Sequence, residues 1–431
     1  MKHFKDYKKQ YPKVLLFVVI LFVLPFLFSF AQTAFEIQNK ITEKNSDIER
    51  IEQEIKAYQK ELEGIGKQKS TLSSIIRELD LTRKKLVADI SLTEKKIEKT
   101  NLKIQSLSSD ISNKESSISN NHEALILDIK SLYELEESDL TEIWVKNDNL
   151  TEVWQDIDHM STVREAIISK IDSLKKIKGD LEVKRTDTIG AKDELVELRG
   201  ELADQKKIVE QNAAEKNKLL KQTKNSESAY QKLVKDQTAK KNALEQELEK
   251  YESQLKFILD PNSLPSGGVL SWPLDDIFVT QLFGKTSSSK RLYASGSHSG
   301  VDFRASVGTP VKAMEDGVVV GVGDTDVTCP KASFGKWMLI KYNNGLSSAY
   351  GHLSLSKAYA GQTISKGEIV AYTGNTGHST GPHLHVTIYA SSAVKVQTLP
   401  SKSCLGKTLT QPIAATNAYL DPMIYLPPYN K

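Results

Sequence analysis

The chain has 431 residues, of which 39% are hydrophobic and 26% are charged, and its formal net charge is only +3. This length exceeds that of one ordinary domain, so two or three folding units are expected. Basic and acidic residues alternate along the chain and do not cluster, which argues against a nucleic-acid-binding protein.

Proline and glycine divide the chain into two contrasting parts. No proline occurs between Phe26 and Asp260, and only five of the 23 glycines lie between Phe35 and Asp260. Because both residue types interrupt helices, this distribution predicts a long helical part followed by a compact, turn-rich part. The sequence therefore indicates a multidomain protein.

Residues 1–31 have the features of a targeting segment. Five lysines precede an apolar run from Val14 to Phe28, and Ser29–Ala31 offers small residues at the positions that a signal peptidase reads. The run is also nearly long enough to serve as a retained membrane anchor. Either alternative predicts an exported protein in the periplasm or the extracellular cell envelope.

Residues 36–259 are predicted to form a coiled coil. From Ile48 to Ile118 apolar residues recur every seven positions, with polar residues only at Lys69 and Arg83, which is the pattern of a coiled-coil seam. A second arm from about Met160 to Ile258 follows the same repeat but contains more polar interruptions. Two arms of similar length predict an antiparallel hairpin within one chain. Pairing between two chains is the alternative.

The arms are predicted to meet at a helical tip, residues 122–160. The sequences LTEIW and LTEVW repeat there, and each is preceded by a capping residue, Asp139 or Asn149, with glutamate three positions later. We therefore expect two short capped helices. Each ends in a tryptophan, Trp144 or Trp154, which either holds the turn together or presents an aromatic surface to a partner.

Residues 260–268 form a Pro/Gly/Ser-containing linker, and residues 269–428 consist of short β-type runs separated by turn sequences. This pattern predicts a mainly antiparallel β domain. The chain's two cysteines, Cys329 and Cys404, both lie in this part. Outside the cytosol such a pair favours a disulfide, although two free thiols remain possible because the sequence does not give their separation.

The β part concentrates residues that bind metal. Five of the eight histidines lie between His298 and His385. His298 with Asp302, and His383 with His385, have the even spacing that places side chains on one face of a strand. Two or more histidines with a carboxylate are typical of a catalytic zinc site, in which three protein ligands leave one position for water.

Together with His352, the candidates number five, so two histidines remain for proton transfer. Spacing alone does not tell which histidine has which role. A further histidine, His378, lies in a turn sequence and is assigned none.

Three motifs, HSGVDF, YGHL and STGPHLHV, occur in this order and resemble those of the lysostaphin/LytM-type zinc peptidases, which cut peptides of bacterial peptidoglycan. The resemblance covers roughly residues 269–425. It departs from the family pattern at Val386-Thr387, where members often have Phe-Glu, and at Lys285, where members often have arginine. The resemblance implies Zn²⁺ ligands and catalytic histidines at the following positions: His298, Asp302 and His385 as ligands, His352 and His383 as catalytic residues.

The whole layout is similar to that of EnvC-like and PcsB-like regulators of cell-wall hydrolases. This resemblance implies a peptidase controlled through its coiled coil in cell division or wall remodelling, with the tip (Trp144 and Trp154) contacting an FtsEX-type membrane complex. EnvC-like members have lost the zinc residues and activate a separate amidase, whereas this chain keeps all five. We therefore predict a zinc endopeptidase acting on peptidoglycan peptides. The alternative is a non-enzymatic activator of a separate peptidoglycan amidase.

Overall fold

The structure is a computed structural model that describes residues 11–66, 71–136, 150–255, 264–265, 267–286, 289, 296–401 and 404–429. Long helices occupy the first part and an antiparallel β domain the second, so the predicted fold class is confirmed. The helices are α1 (Tyr11–Gly66), α2 (Leu72–Glu136), α3 (Leu150–Thr223), α4 (Glu227–Gln254) and the short α5 (Pro422–Tyr425).

Helices α2 and α3 run antiparallel within the one chain, as the hairpin prediction expects. Lys114 Nζ lies 3.2 Å from a carboxylate oxygen of Asp180, and Lys184 Nζ lies 3.4 Å from one of Asp110. Because residue numbers fall on α3 as they rise on α2, the two helices run in opposite directions. Heptad spacing gives each helix the apolar stripe that this pairing buries.

The first arm is not one continuous helix. Helix α1 ends at Gly66, α2 begins at Leu72, and Arg77 pairs with Glu61 across the break at 2.6 Å. A second pair joins Lys44 to Glu98 at 3.0 Å, so α2 folds back along α1. Glycine costs a helix interior about 1 kcal/mol relative to alanine, and the first arm has glycines at positions 64 and 66.

The second arm is also interrupted, at the junction of α3 and α4. Lys224 and Asn225 adopt left-handed backbone conformations, with φ of 48° and 59°. The hydroxyl of Ser226 then caps α4 by accepting a hydrogen bond from the Ala229 amide. Thr223, a polar residue seven positions before Tyr230 in the heptad repeat of the second arm, directly precedes this break.

The tip differs in part from the prediction. Helix α3 begins at Leu150 and continues for 74 residues, so the second of the predicted short helices is the start of a long one. The first, around residues 140–144, lies outside the described residues, and so does Trp144. Trp154 is described and its surface is 63% exposed.

The β domain is built around one large antiparallel sheet. The strands of the domain are β1 (Val279–Gln281), β2 (Val301–Arg304), β3 (Pro310–Lys312), β4 (Gly317–Asp324), β5 (Lys336–Tyr342), β6 (Leu346–Ser356), β7 (Thr363–Ile364), β8 (Ile369–Thr373), β9 (His383–Ala390), β10 (Val394–Ser401), β11 (Lys407–Ala414) and β12 (Tyr419–Leu420). In the described residues the strands of the large sheet follow the order β1-β2-β9-β6-β5-β4-β7, with β12 beside β9 and with β8 between β6 and β3. Strands β10 and β11 form a separate hairpin.

The chain divides into two compact units, residues 1–50 with 92–201 and residues 51–91 with 202–431. Within the second unit, helical segments pack directly on the β domain. Leu86 and Ile208 are buried against Tyr372. Leu244 packs beside the Cys329–Cys404 disulfide, which confirms that these two cysteines pair.

In the part of the chain that the structure describes, no helix has both the length and the apolar character needed to cross a bilayer. The predicted signal or anchor covers residues 1–31. Of these, residues 1–10 lie outside the described part of the chain, and the rest belong to the first turns of α1, whose side chains are not described.

Near the end of α4, Glu252 meets the β domain. The hydroxyl of Tyr419 donates a 2.7 Å hydrogen bond to its carboxylate. Burial raises the pKa of Glu252 from 4.5 to about 7, although the hydrogen bond from Tyr419 opposes this rise.

Because the pKa of Glu252 is higher in the folded than in the unfolded chain, its contribution to stability is complete below pH 4.5 and is lost as the pH rises through 7. Between pH 5 and pH 8 the unfolding free energy of the wild type should fall by roughly 2 kcal/mol more than that of Glu252→Gln. Denaturant titration at the two pH values measures this difference. Asp236→Asn, at an exposed position on the same helix that is not among the residues shifting the pKa of Glu252, is the control. Equal pH slopes in wild type and Glu252→Gln would contradict this expectation.

Candidate metal centre

The register between β2 and β9 brings together residues 83 positions apart. Asp302 lies directly opposite His385, and Arg304 lies opposite His383. Val301 and Phe303, the alternate residues of β2, are buried in the hydrophobic core. Since side chains alternate across a strand, Asp302 projects from the other face, where it meets the side chain of its cross-strand neighbour.

Three predicted ligands converge on this face. Asp302 Oδ1 lies 2.8 Å from His385 Nδ1 and 3.2 Å from His298 Nε2, and the two nitrogens are 3.1 Å apart. Among the described residues, these three side chains form a group whose ligand atoms all lie within 4.8 Å of one another. All three residues are buried, so the cluster is shielded from water.

Outer hydrogen bonds hold both imidazoles in place, and the one at His298 turns its lone pair inward. His298 Nδ1 lies 3.0 Å from the Leu282 carbonyl oxygen, which can only accept, so Nδ1 carries the proton and Nε2 is a potential ligand. His385 Nε2 contacts the Thr387 hydroxyl at 2.9 Å, which leaves Nδ1 facing Asp302. Two nitrogens, each on a ring held from outside, and one carboxylate oxygen fit the donor set of a catalytic zinc ion.

The electrostatics keep these residues in their metal-binding protonation states. Burial alone would raise the pKa of Asp302, but its contacts with the imidazoles of His298 and His385 outweigh it and hold that pKa well below 3.8. Burial is also the main cause that lowers the pKa of His385 below 6.5. An ionised carboxylate and a neutral imidazole are the forms that a metal ion requires.

The two predicted catalytic histidines stand beside the cluster. The rings of His352 and His383 have centroids 4.6 Å apart, and His383 Nε2 lies 3.6 Å from Asp302 Oδ1. His352 Nδ1 donates to the Thr376 carbonyl and His383 Nδ1 to the Gly381 carbonyl, both at 2.8 Å. Each ring therefore presents Nε2 as its proton acceptor. The structure brings all five predicted residues into one place.

His352 occupies an unusual backbone position. Its φ is 60°, in the left-handed region that costs an ordinary residue about 1 kcal/mol or more. Its amide donates to the Phe334 carbonyl at 2.8 Å, and its ring is held by Thr376. Burial, followed by the charges of His383 and His385, lowers the pKa of His352 well below 6.5. Such a conformation indicates that the position of the ring matters to function.

Two further residues support the cluster, and the sequence analysis did not assign them a role. Thr387, noted there only as a departure from the family pattern, is fully buried and contacts His385. A Cβ atom added at Gly300 would lie 2.2 Å from the Val386 carbonyl oxygen and 2.9 Å from His385 Cε1, so only glycine fits at this position. The glycine within the HSGVDF motif was the available signal for this close approach.

His378, to which no role was assigned, lies in the turn that leads towards β9. Burial, followed by the charge of Lys241, lowers the pKa of His378 to about 3. It is not a member of the three-residue ligand group described above.

Comparisons with known proteins agree with the motifs. Residues 296–397 match the sequence profile of peptidase family M23. An uncharacterized metalloprotease of Haemophilus influenzae is 46% identical over 88 residues, which are 20% of this chain and 18% of that protein. The peptidoglycan DD-endopeptidase ShyA of Vibrio cholerae is 34% identical over 131 residues, 30% of this chain and 29% of that protein. The segment is therefore an M23 (LytM-type) peptidase domain, as the motifs predict.

Lysostaphin of Staphylococcus simulans is 37% identical over 91 residues, 21% of this chain and 17% of that protein. Its crystallised catalytic domain aligns with 34% of this chain and 90% of its own length, at 26% identity and a TM-score of 0.25. The chain thus spans between 17% and 29% of the length of these curated relatives.

Variants of the predicted ligands and variants of the predicted catalytic histidines should differ in their metal content. We expect His385→Ala and Asp302→Asn to lose most of their bound zinc, because each removes one of about three protein ligands. His352→Asn and His383→Asn should retain it. Asparagine is chosen at position 352 because it tolerates a positive φ. Elemental analysis of the purified full-length proteins measures the molar ratio of zinc to protein. Equal zinc content in His385→Ala and His352→Asn would contradict the assignment of His385 as a ligand and His352 as a catalytic residue.

Proposed function

We propose that this protein is a zinc-dependent endopeptidase that cuts peptide bonds of peptidoglycan. The observation that carries the proposal is the convergence of the buried residues His298, Asp302 and His385 with two additional histidines in one cluster. The M23 domain supports it, and so does the similarity to a relative named as a peptidoglycan DD-endopeptidase.

When bound, a zinc ion would supply Lewis acidity and lower the pKa of a water molecule. The surrounding residues then have distinct tasks. Because burial keeps His352 neutral, its Nε2 can accept the proton that an attacking water gives up. Once protonated at Nε2, His383, whose Nδ1 is held by the Gly381 carbonyl, can stabilise the developing oxyanion or protonate the leaving amine.

The alternative, a non-enzymatic activator of a peptidoglycan amidase, receives less support from the site. Binding a partner protein does not require two histidines to present Nε2 beside a three-ligand cluster. The convergence of all five side chains is instead what amide hydrolysis needs.

We also propose that the helices control the peptidase domain. Within the second unit, Lys331 Nζ contacts Glu215 of α3 at 3.3 Å and the Asn375 carbonyl oxygen at 3.0 Å. The next residue, Thr376, supplies the carbonyl that orients His352. The amide of Asn375 also reaches Glu78 of α2 at 3.4 Å. Helical residues therefore contact the loop that positions a catalytic histidine.

Apolar packing adds to these polar contacts. Leu86 of α2 is fully buried and packs with Ile208 against Tyr372 of β8. Lys85 Nζ lies 3.4 Å from the carbonyl oxygen of Val307, which precedes β3. A change that weakens this packing should release the domain from the helices.

We expect Leu86→Ala in the full-length chain to increase the rate of peptidoglycan cleavage by about tenfold or more. Removing a buried leucine costs about 2–5 kcal/mol where its contacts form, and that loss favours the undocked state. Val87→Ala, an adjacent position that is 50% exposed, is the matched control. Release of soluble peptides from purified peptidoglycan gives the rate, and mass spectrometry identifies the bond cut.

Equal rates for wild type, Leu86→Ala and Val87→Ala would contradict control by these helical contacts. If folded, zinc-loaded Leu86→Ala releases no peptide at all, the endopeptidase proposal fails. Stimulation of a purified peptidoglycan amidase by the same protein would then support the activator alternative.

We place the protein in the cell envelope, outside the cytosol. The Cys329–Cys404 disulfide supports an oxidising compartment, and the proposed substrate lies outside the cytoplasmic membrane. Export would use the segment at residues 1–31, either as a signal peptide or as an anchor. The layout of long helices followed by an M23 domain supports a role in cell division or wall remodelling.

We further propose that the tip binds a membrane partner of the FtsEX type. Large hydrophobic side chains are exposed on the parts of α2 and α3 that lie within the tip, and between 49% and 65% of the surface of each is accessible. Clusters of exposed apolar residues are typical of interaction surfaces. The residues are Ile126, Leu127, Ile129, Tyr133 and Trp154.

Trp154→Ala should weaken capture of the purified membrane complex by about tenfold, because a buried tryptophan contributes strongly to interfaces. Val196→Ala, which lies on the same helix and is 70% exposed, is the matched control. Surface plasmon resonance measures the affinity, and circular dichroism checks that helix content is unchanged. Equal affinity of both variants would argue that Trp154 does not contact the partner.

A further inference from the structure

Next to the metal cluster, β2 carries a cation that the hydrolytic scheme above does not use. Arg304 is two residues beyond Asp302 on β2 and lies opposite His383 on β9. Residues two apart on a strand share a face, so Arg304 projects from the same face as Asp302. Its side chain is 46% exposed, which leaves the guanidinium accessible at the edge of the cluster.

Phe278 holds this guanidinium in place. The Arg304 Cζ atom lies 4.0 Å from the centroid of the Phe278 ring, and the Arg304 amide donates a 2.9 Å hydrogen bond to the Phe278 carbonyl. Stacking on an aromatic ring restrains the planar guanidinium while its N–H groups stay available. A restrained guanidinium of this kind is suited to binding a carboxylate through two parallel hydrogen bonds.

A carboxylate from the helical part already lies against it. Glu63, three residues before the end of α1, places Oε1 at 3.1 Å from Arg304 Nη1. The Glu63 side chain is 47% exposed, and an exposed ion pair of this kind is weak. A carboxylate arriving from solution can therefore displace it, and Glu63 shows which chemical group the position accepts.

We propose that Arg304 is a substrate-binding residue that recognises a free carboxylate on the peptide beside the bond to be cut. Glu63 occupies the same position when the end of α1 is docked, so it competes with the substrate. The assignment of the ligand as a peptide substrate rests on the proposed endopeptidase function. The carboxylate is either the C-terminal group of the peptide or an acidic side chain, and the test distinguishes these sources.

The test measures binding by the full-length protein separately from cleavage. Three fluorescent peptides of the same sequence carry a free C-terminal carboxylate only, an acidic side chain only, or amides at both positions. Fluorescence anisotropy gives their dissociation constants for wild type, Glu63→Gln and Glu63→Gln/Arg304→Gln. Lys312→Gln in the Glu63→Gln background removes a different cation of this domain, one paired with Asp275, and is the control.

For Glu63→Gln we expect at least one acidic peptide to bind roughly threefold to tenfold more tightly than the amidated peptide. The preference should be smaller in wild type, absent in the Arg304→Gln double variant, and retained in the Lys312→Gln control. Equal or undetectable binding of all three peptides by Glu63→Gln overturns the inference. A preference that survives Arg304→Gln also overturns it.

Cleavage of the same peptides, followed in parallel, separates this inference from the proposed function. A carboxylate preference without cleavage leaves the Arg304 subsite standing and removes support for the endopeptidase. Cleavage without a carboxylate preference supports the endopeptidase and overturns the Arg304 subsite. Circular dichroism of each variant confirms that the compared proteins are equally folded.

Discussion

The pairing of β2 with β9 is the constraint on which the rest of the site depends. It sets Asp302 opposite His385 and Arg304 opposite His383, with the backbone hydrogen bonds of an antiparallel ladder holding that register. A slip of one residue would turn Asp302 towards the hydrophobic core and Phe303 towards the histidines. The buried side chains of Phe303 and Leu384 oppose such a slip. The core thus enforces the alignment of the polar cluster.

A polar cluster this deeply buried is stable only if its outer atoms are satisfied. Loop carbonyls perform this task for three histidines, through Leu282, Thr376 and Gly381. The inward-facing lone pairs of these histidines then lie close together and repel one another, and a bound cation would remove this repulsion. Metal binding should accordingly stabilise the folded domain, since the unfolded chain offers no assembled site.

The helices of the second unit do more than pair with one another. Leu86 occupies a core position of the heptad repeat, yet it is buried against Tyr372 of the β domain. One polar residue of the heptad repeat, Thr223, by contrast lies at the break between α3 and α4. The contacts between helices and domain combine a small apolar patch with partly exposed ion pairs at Glu63 and Glu215. Exposed ion pairs contribute little to stability, and this composition suits a contact that forms and releases.

By itself, the sequence determined the division into helical and β parts, the heptad repeat and the five residues of the site. These features follow from local rules: helix breakers, seven-residue periodicity, and side-chain types in short motifs. Only the tertiary structure decided that the first arm folds back after Gly66, that Cys329 pairs with Cys404 across 75 residues, and that Thr387 supports His385. It also decided that Glu63 lies against Arg304. These relations depend on which distant segments pack together, and no local pattern records that choice.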